Sequence, residues 1–145
     1  GDYAGDLLYE TLSAFGFSEG RYDRRADDGL TLRGSRITNA VRCVPPENKP
    51  VGGEIRNCND FLAAEMASLP NLKVILSLGV VSHGAVLSSL GLKKSSCRFS
   101  HAALHSLPNG LRLADSYHCS RYNTNTGRLT REMFAAVFQG IKDLV

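Results

Sequence analysis

Four short stretches of this sequence place reactive or anion-binding side chains close together. The densest is Asp115-Ser116-Tyr117-His118-Cys119-Ser120-Arg121-Tyr122-Asn123-Thr124-Asn125-Thr126-Gly127-Arg128. A His just beyond a strand end is a common position for an acid, a base or an electrostatic catalyst, because imidazole changes charge near neutral pH. Ser120, Arg121, Asn123 and Thr124 have the donors to grip phosphates, and Tyr122 has the flat ring to stack or wedge. A capped surface loop is the plain alternative. So many reactive and anion-binding groups in one loop favour function over it.

The second stretch runs from Thr38 through Asn39, Cys43 and Pro45-Pro46 to Pro50. Asn39 sits in an apolar, strand-like run and must satisfy both an amide donor and a carbonyl acceptor. That pair complements a pyrimidine edge, which offers an acceptor and an N–H side by side. A structural Asn bonded to a neighbouring loop is the commoner arrangement for such a residue. The third is Cys43 with Cys58, one after a strand and one early in a helix. Two thiolates do not complete a zinc or iron–sulfur centre, which usually takes four ligands. Cys97 and Cys119 are possible partners, and four unrelated thiols are the alternative. The fourth is Gly1-Asp2-Tyr3-Ala4-Gly5, where an Asp before a helix is most often a plain N-cap.

Charge adds a direction. The chain has 145 residues, with 17 Lys or Arg, 14 Asp or Glu and a net charge of +3. Between Gly91 and Arg131 stand Lys93, Lys94, Arg98, Arg112, Arg121, Arg128 and Arg131 against a single acid, Asp115. That window therefore carries +6 and the remainder −3, and three of the four His (His101, His105 and His118) fall within it. Such asymmetry suits a polyanion, most simply nucleic acid; a solvated basic face would look the same. With 43% hydrophobic and 21% charged residues, the composition is that of a folded domain. No apolar run approaches the ~20 residues needed to cross a bilayer. The few, unevenly spaced Cys fit a reducing, intracellular setting.

These groups need a scaffold. Ala4 to Phe17 has Leu7, Leu8, Leu12 and Phe15 at helical spacing, with Gly16 ending it. Residues 18–29 read as a polar loop, Leu30 to Arg33 as a short strand, and Arg36 to Val41 as a strand of the main sheet. Pro45-Pro46 stops regular structure. Glu54 to Leu69 reads as a helix with Ile55, Cys58, Phe61, Leu62, Met66 and Leu69 on one side. Lys73 to Leu78 reads as a buried parallel strand, Val80 to Leu90 as a helix and Leu111 to Ala114 as a strand. Asp115 to Gly127 is expected to be a polar loop. Thr130 should cap a last helix that buries Met133, Phe134, Val137, Phe138 and Ile141. Alternating strands and helices predict a single three-layer α/β/α domain over residues 1–145. Its central sheet should be mostly parallel, of about four strands, with functional loops at strand carboxyl ends.

Together the stretches resemble the uracil-DNA glycosylase superfamily, in particular its iron–sulfur branch, family five or type B. The matching residues are Gly1-Asp2-x-x-Gly5, Ile37-Thr38-Asn39-Ala40-Val41-Arg42-Cys43 followed by Pro45-Pro46-x-Asn48-x-Pro50, Glu54, Cys58 and Leu76-Ser77-Leu78-Gly79. Tyr117-His118 and Ser120 to Thr130 complete the set, the latter specific to this branch.

The resemblance implies roles. Asp2 is similar to the catalytic Asp that ends the water-activating motif, and His118 to the His that contacts the base carbonyl. Asn39 is similar to the Asn that reads the flipped base. Ser120, Arg121, Tyr122, Asn123, Thr124 and Asn125 fall on the loop that enters DNA at the vacated base. Cys43 and Cys58 match the second pair of ligands to a 4Fe-4S cluster. The implied protein is a monomeric DNA-repair enzyme of the cytoplasm, nucleoid-associated in a prokaryote, with no membrane role. It would hydrolyse the N-glycosidic bond of uracil, and of hypoxanthine if its range is wider, in DNA.

Two departures accompany it. The family's His-Pro-Ser is here His118-Cys119-Ser120. The family's upstream Cys pair, one central strand and a Gly-Leu-Ala-Pro-type loop have no counterpart before Gly1, so the chain is expected to be an N-terminally shortened form. Two further readings of the residues stay open: a non-catalytic nucleic-acid-binding module on the same scaffold, and a structural metal module using Cys43, Cys58, Cys97 and Cys119.

Overall fold

The computed structural model describes residues 3–20, 30–38 and 52–145, with backbone alone for Tyr3, Ala4 and residues 52–59. Asp2, Asn39 and Cys43, together with the side chain of Cys58, lie outside what is described. The chain forms two compact units, one from residues 1–37 and 116–145, the other from 38–115.

In the first unit, helix α1 (Tyr3–Ala14) leads into strand β1 (Ser18–Glu19), which pairs antiparallel with β2 (Thr31–Leu32). The expected loop at 18–29 thus begins with a strand residue pair. Ser35 to Thr38 has no regular structure, and the rest of the strand expected over 36–41 lies outside the described residues. The unit's second helical part closes the chain and includes helix α5, Arg131–Lys142. The Thr130 hydroxyl accepts from the Met133 N–H at 3.1 Å, which satisfies one of the donors a helix start leaves open. Glu132 places a negative charge in the first turn, where the helix dipole favours it. Leu7 and Leu12 of α1 and Phe134, Val137 and Phe138 of α5 are buried, with Phe17 and Leu129 beside them in the sequence of the same unit. The Phe134 and Phe138 rings lie 5.0 Å apart, and Phe15 and Phe17 both approach Phe138.

In the second unit, helix α2 (Gly52–Ala67) precedes strand β3 (Val74–Leu78), helix α3 (Val80–Ser89), strand β4 (Leu104–Ser106) and strand β5 (Arg112–Ser116), whose last residue passes into the first unit. The described sheet has the order β3-β5-β4, so it is mixed: β4 and β5 are antiparallel, in the register Leu104 to Ala114 and Ser106 to Arg112. β4 was not expected, because three residues with one polar His between Leu104 and Ser106 carry too little periodicity to register as a strand.

The order also explains an inversion of burial. Lys73 to Leu78 reads as the buried strand, yet among its described residues only Ser77 is fully buried. β3 is at the edge of the described sheet, while β5 lies between its neighbours and buries Leu113, Ala114, Asp115 and Ser116. Leu62, Ala85, Val86, Leu87, Leu107 and Leu113 form the unit's core, with Met66, Ile75 and Cys97 packed against it. Phe61 is on the outer side of α2 and 47% exposed, so the apolar stripe is narrower than its spacing suggests. Gly79, at φ 99°, turns the chain from β3 straight into α3; a side chain there would be strained, since positive φ brings Cβ against the backbone.

Ala102 is the one described residue other than glycine with positive φ, at 67°. Its N–H donates to the Asp115 carbonyl at 2.9 Å, which holds it there. Ala102→Gly keeps that bond and relieves the strain, so it is expected to stabilise the protein by about 0.5–1 kcal/mol in urea unfolding. A loss of stability would show that Ala102 is unstrained.

Candidate functional site

The segment after β5 is more ordered than a polar loop. Ser116 donates through Oγ to the Tyr117 carbonyl at 2.9 Å. His118 follows with its side chain exposed, and Cys119 turns inward to 2% exposure. Ser120 then caps a short helix, α4 (Arg121–Asn125), its Oγ accepting from the Asn123 N–H at 3.2 Å. Ser120, Asn123 and Thr124, which with Arg121 are expected to grip phosphates, also take part in the loop's own bonds. The Asn123 side-chain N–H donates to the His118 carbonyl at 2.9 Å, and the Asn123 backbone carbonyl accepts from the Leu129 N–H at 3.1 Å. Thr124 Oγ1 donates back to the Ser120 carbonyl at 3.1 Å. Gly127, at φ 77°, reverses the chain so that Leu129 enters the core at 1% exposure.

What this leaves facing outward is specific. Tyr122 is 73% exposed, and Arg121, Asn125 and Arg128 are exposed too. An exposed large aromatic on a hydrogen-bonded turn is costly to leave in water and suits a stacking or wedging partner. The Arg128 guanidinium lies 4.8 Å over the Tyr117 ring, which restrains it while keeping its charge. His118 is thus presented from a backbone fixed on both sides, with cations and an aromatic beside it in sequence.

Cys119 behaves as a small hydrophobe in the first unit's interior. The inward turn that a Pro would stiffen is instead held by burial and by the bonds from Asn123 and Ser120. Cys97 is half-buried against the core of the second unit. Cys43 and the side chain of Cys58, the other two thiols of the four-cysteine centre, lie outside the described residues.

A second constellation escaped the sequence reading. Asp115, fully buried in β5, meets His83 Nδ1 from α3 at 2.7 Å and His105 Nε2 from β4 at 2.7 Å. Ser77 Oγ of β3 donates to it at 3.0 Å and the Ser100 N–H at 3.3 Å. The signal was present in that Asp115 is the lone acid in a window of seven Lys or Arg. Its partners are spread over 39 positions, from Ser77 to Asp115 itself, so no spacing rule joins them.

His101 lies between these groups in sequence. Partial burial holds its imidazole below the ordinary value of 6.5, because a charged ring loses hydration there. The unfolded chain therefore binds this proton more readily. The His101 contribution to stability is intact above about pH 6.5 and is lost as pH falls through the lower folded value. His101→Gln is expected to flatten the fall in melting temperature below about pH 6.5. An unchanged slope would assign that acid loss to other groups.

Comparison with known proteins gives the family. Residues 1–142 match the model of the uracil DNA glycosylase superfamily. A type-5 uracil-DNA glycosylase of Thermus thermophilus is 44% identical over 144 residues, covering 99% of this chain and 65% of that protein. Those of Pyrobaculum aerophilum and Mycobacterium leprae are 36% and 37% identical, covering 96% and 99% of this chain and 60% and 64% of theirs. The chain thus spans slightly under two thirds of the length of these relatives.

Proposed function

The chain belongs to the uracil DNA glycosylase superfamily, and from that premise we propose that the protein excises uracil from DNA by hydrolysing its N-glycosidic bond. The observation that carries this reading is the His118 segment: an exposed His on a backbone fixed by Asn123, followed by the exposed Arg121 and Tyr122.

The chemistry assigns the rest. A base in the stack must be rotated out before its glycosidic bond can be reached. Tyr122 can fill the space it leaves, while Arg121, Asn125 and Arg128 hold the flanking phosphates. Bond cleavage leaves positive charge on the sugar and negative charge on the departing base. Asp2 would face the sugar and help activate water. His118 would face the base carbonyl, where a donor is worth most because negative charge develops there. Asn39 would read the pyrimidine edge with its paired donor and acceptor. The motifs hold no Lys suited to a Schiff base, so the reaction ends at the abasic site.

Cys43 and Cys58 supply two of the thiolates that a 4Fe-4S cluster takes, and two more ligands are needed. Such a cluster would brace the DNA-binding loops. Hypoxanthine is a further candidate base. Among the described residues no helix is long and apolar enough to cross a membrane, and we read the protein as a cytoplasmic monomer.

The test is release of uracil from a labelled duplex by the natural full-length protein, scored as alkali-labile abasic sites. Cleavage well above that of Asp2→Ala supports the reading. Salt-sensitive DNA binding with no base release would replace it with a non-catalytic binding module.

A further inference from the structure

Helix α2 buries a carboxyl group and exposes a phenyl ring. Glu65 is 9% exposed, while Phe61, one turn earlier on the helix, is 47% exposed. Burial alone favours the reverse, because a carboxyl group loses hydration that a phenyl ring never had. Leu62 and Met66 belong to the core of the second unit. Residues at i, i+3 and i+4 share a helix face, so Glu65 lies at the edge of the core-facing stripe of α2. Its turn is held as well: the Glu65 backbone carbonyl accepts from Ser68 Oγ at 2.6 Å and from the Ser68 N–H at 3.1 Å. The excision chemistry makes no use of this carboxyl group.

Its partner gives the arrangement a use. The Thr38 hydroxyl donates to Glu65 Oε2 at 2.7 Å, across 27 positions of sequence, and both residues belong to the second unit. Thr38 is exposed and lies in no helix or strand. Inside a sheet, ladder bonds fix the backbone; at Thr38 a side-chain bond to a buried acceptor takes that part. Only Cβ stands between the Thr38 hydroxyl and its Cα, and a β-branched side chain is stiff at χ1, so holding the hydroxyl holds the backbone. The next residue in the chain is Asn39.

Hydrogen bonds offset only part of the cost of burying a carboxyl group, so a Leu at this position would serve the core better. What the pair supplies is fixed geometry. We propose that Glu65 is a positioning residue: it holds Thr38, and with it the backbone entering Asn39, in the place from which Asn39 reads the base. The role rests on the glycosylase reading above, with Asn39 as the residue that meets the base.

The test is single-turnover uracil excision by the natural full-length protein. Thr38→Val removes the hydroxyl and keeps the shape. It is expected to lower the rate about 5–20-fold, part of the ~100-fold that a misplacement of ~1 Å costs. Thr38→Ser, which keeps the donor, should stay within about threefold of the unaltered protein. Glu65→Leu should lose the same factor as Thr38→Val, and the double variant no more than either alone, since both remove one interaction. In an Asn39→Ala background, Thr38→Val should cost less than about twofold, because the residue it positions is gone; a merely structural role would cost the same in both backgrounds.

A rate for Thr38→Val within about twofold of the unaltered protein overturns the role, as does an equal loss in Thr38→Ser. Losses that multiply in the double variant, or an undiminished loss in the Asn39→Ala background, overturn it too. Should Glu65→Leu fail to fold, the Thr38 variants, at an exposed side chain, decide alone. If the unaltered protein releases no uracil, the glycosylase reading fails and the role with it. If Asn39→Ala releases uracil unhindered, base reading by Asn39 fails and the role with it. In both cases, coupling between Thr38→Val and Glu65→Leu in melting temperature still shows whether the anchor exists.

Discussion

His118→Ala is expected to lower the single-turnover rate of uracil excision by about 10²–10³-fold, the usual cost of removing one donor from a developing oxyanion. The structure makes this variant a clean one. The bond from Asn123 reaches the His118 carbonyl, not its ring, at 2.9 Å. The Ser120 cap on α4 is likewise independent of the imidazole. An alanine at 118 therefore leaves the loop's own bonds in place. DNA affinity should change by less than about threefold, since the lost interaction forms as the bond breaks. Single-turnover kinetics beside binding to a duplex with a non-cleavable uracil analogue separate the two. A rate within threefold of the unaltered protein would remove His118 from the chemistry. Asn123→Ala makes the contrast, because it frees the backbone on which His118 rides.

Phe134→Ala is expected to cost about 3–5 kcal/mol of stability, the range for emptying a buried aromatic site. Phe134 is 0% exposed and its ring lies 5.0 Å from that of Phe138, which also meets Phe15 and Phe17. A cavity there is walled by other rings and by the α5 backbone, so it collapses poorly. Against a typical total of 5–15 kcal/mol, the loss leaves a marginal first unit. Urea unfolding measures it. A cost below about 1 kcal/mol would mean that the inner face of α5 is not core. The unit lost would be the one that carries His118, so excision at 37 °C should fall with the folded fraction.

The sequence was most legible where the chain interacts with itself locally. α1, α3 and α5 lie close to their periodic stretches, and Thr130 caps α5 as its type and place suggest. Helix capping and one-sided apolar spacing are short-range, so four or five residues suffice to state them. The His118 segment stands out for the same reason: its reactive side chains are consecutive residues. Its internal structure does not. Ser120 Oγ accepts from the Asn123 N–H and the Asn123 side chain donates to the His118 carbonyl, bonds within the loop that composition alone does not disclose. Strand burial was misread because it depends on order in the sheet, and β5 lies between β3 and β4 although its sequence is the less apolar of the two longer strands.

The sequence by itself marked the candidates proposed to act, Asp2, Asn39 and His118 by motif, together with a basic window by composition and α/β architecture by alternation. These follow from side-chain chemistry and from periods of a few residues. Only the tertiary structure decided that Asp115 is a buried hub and not the start of a solvated loop. His83, His105, Ser77 and Ser100 reach it from four separate stretches of chain. The charge of a carboxylate can be read from one letter. Its burial and its proton partners are settled only when strands and helix close around it.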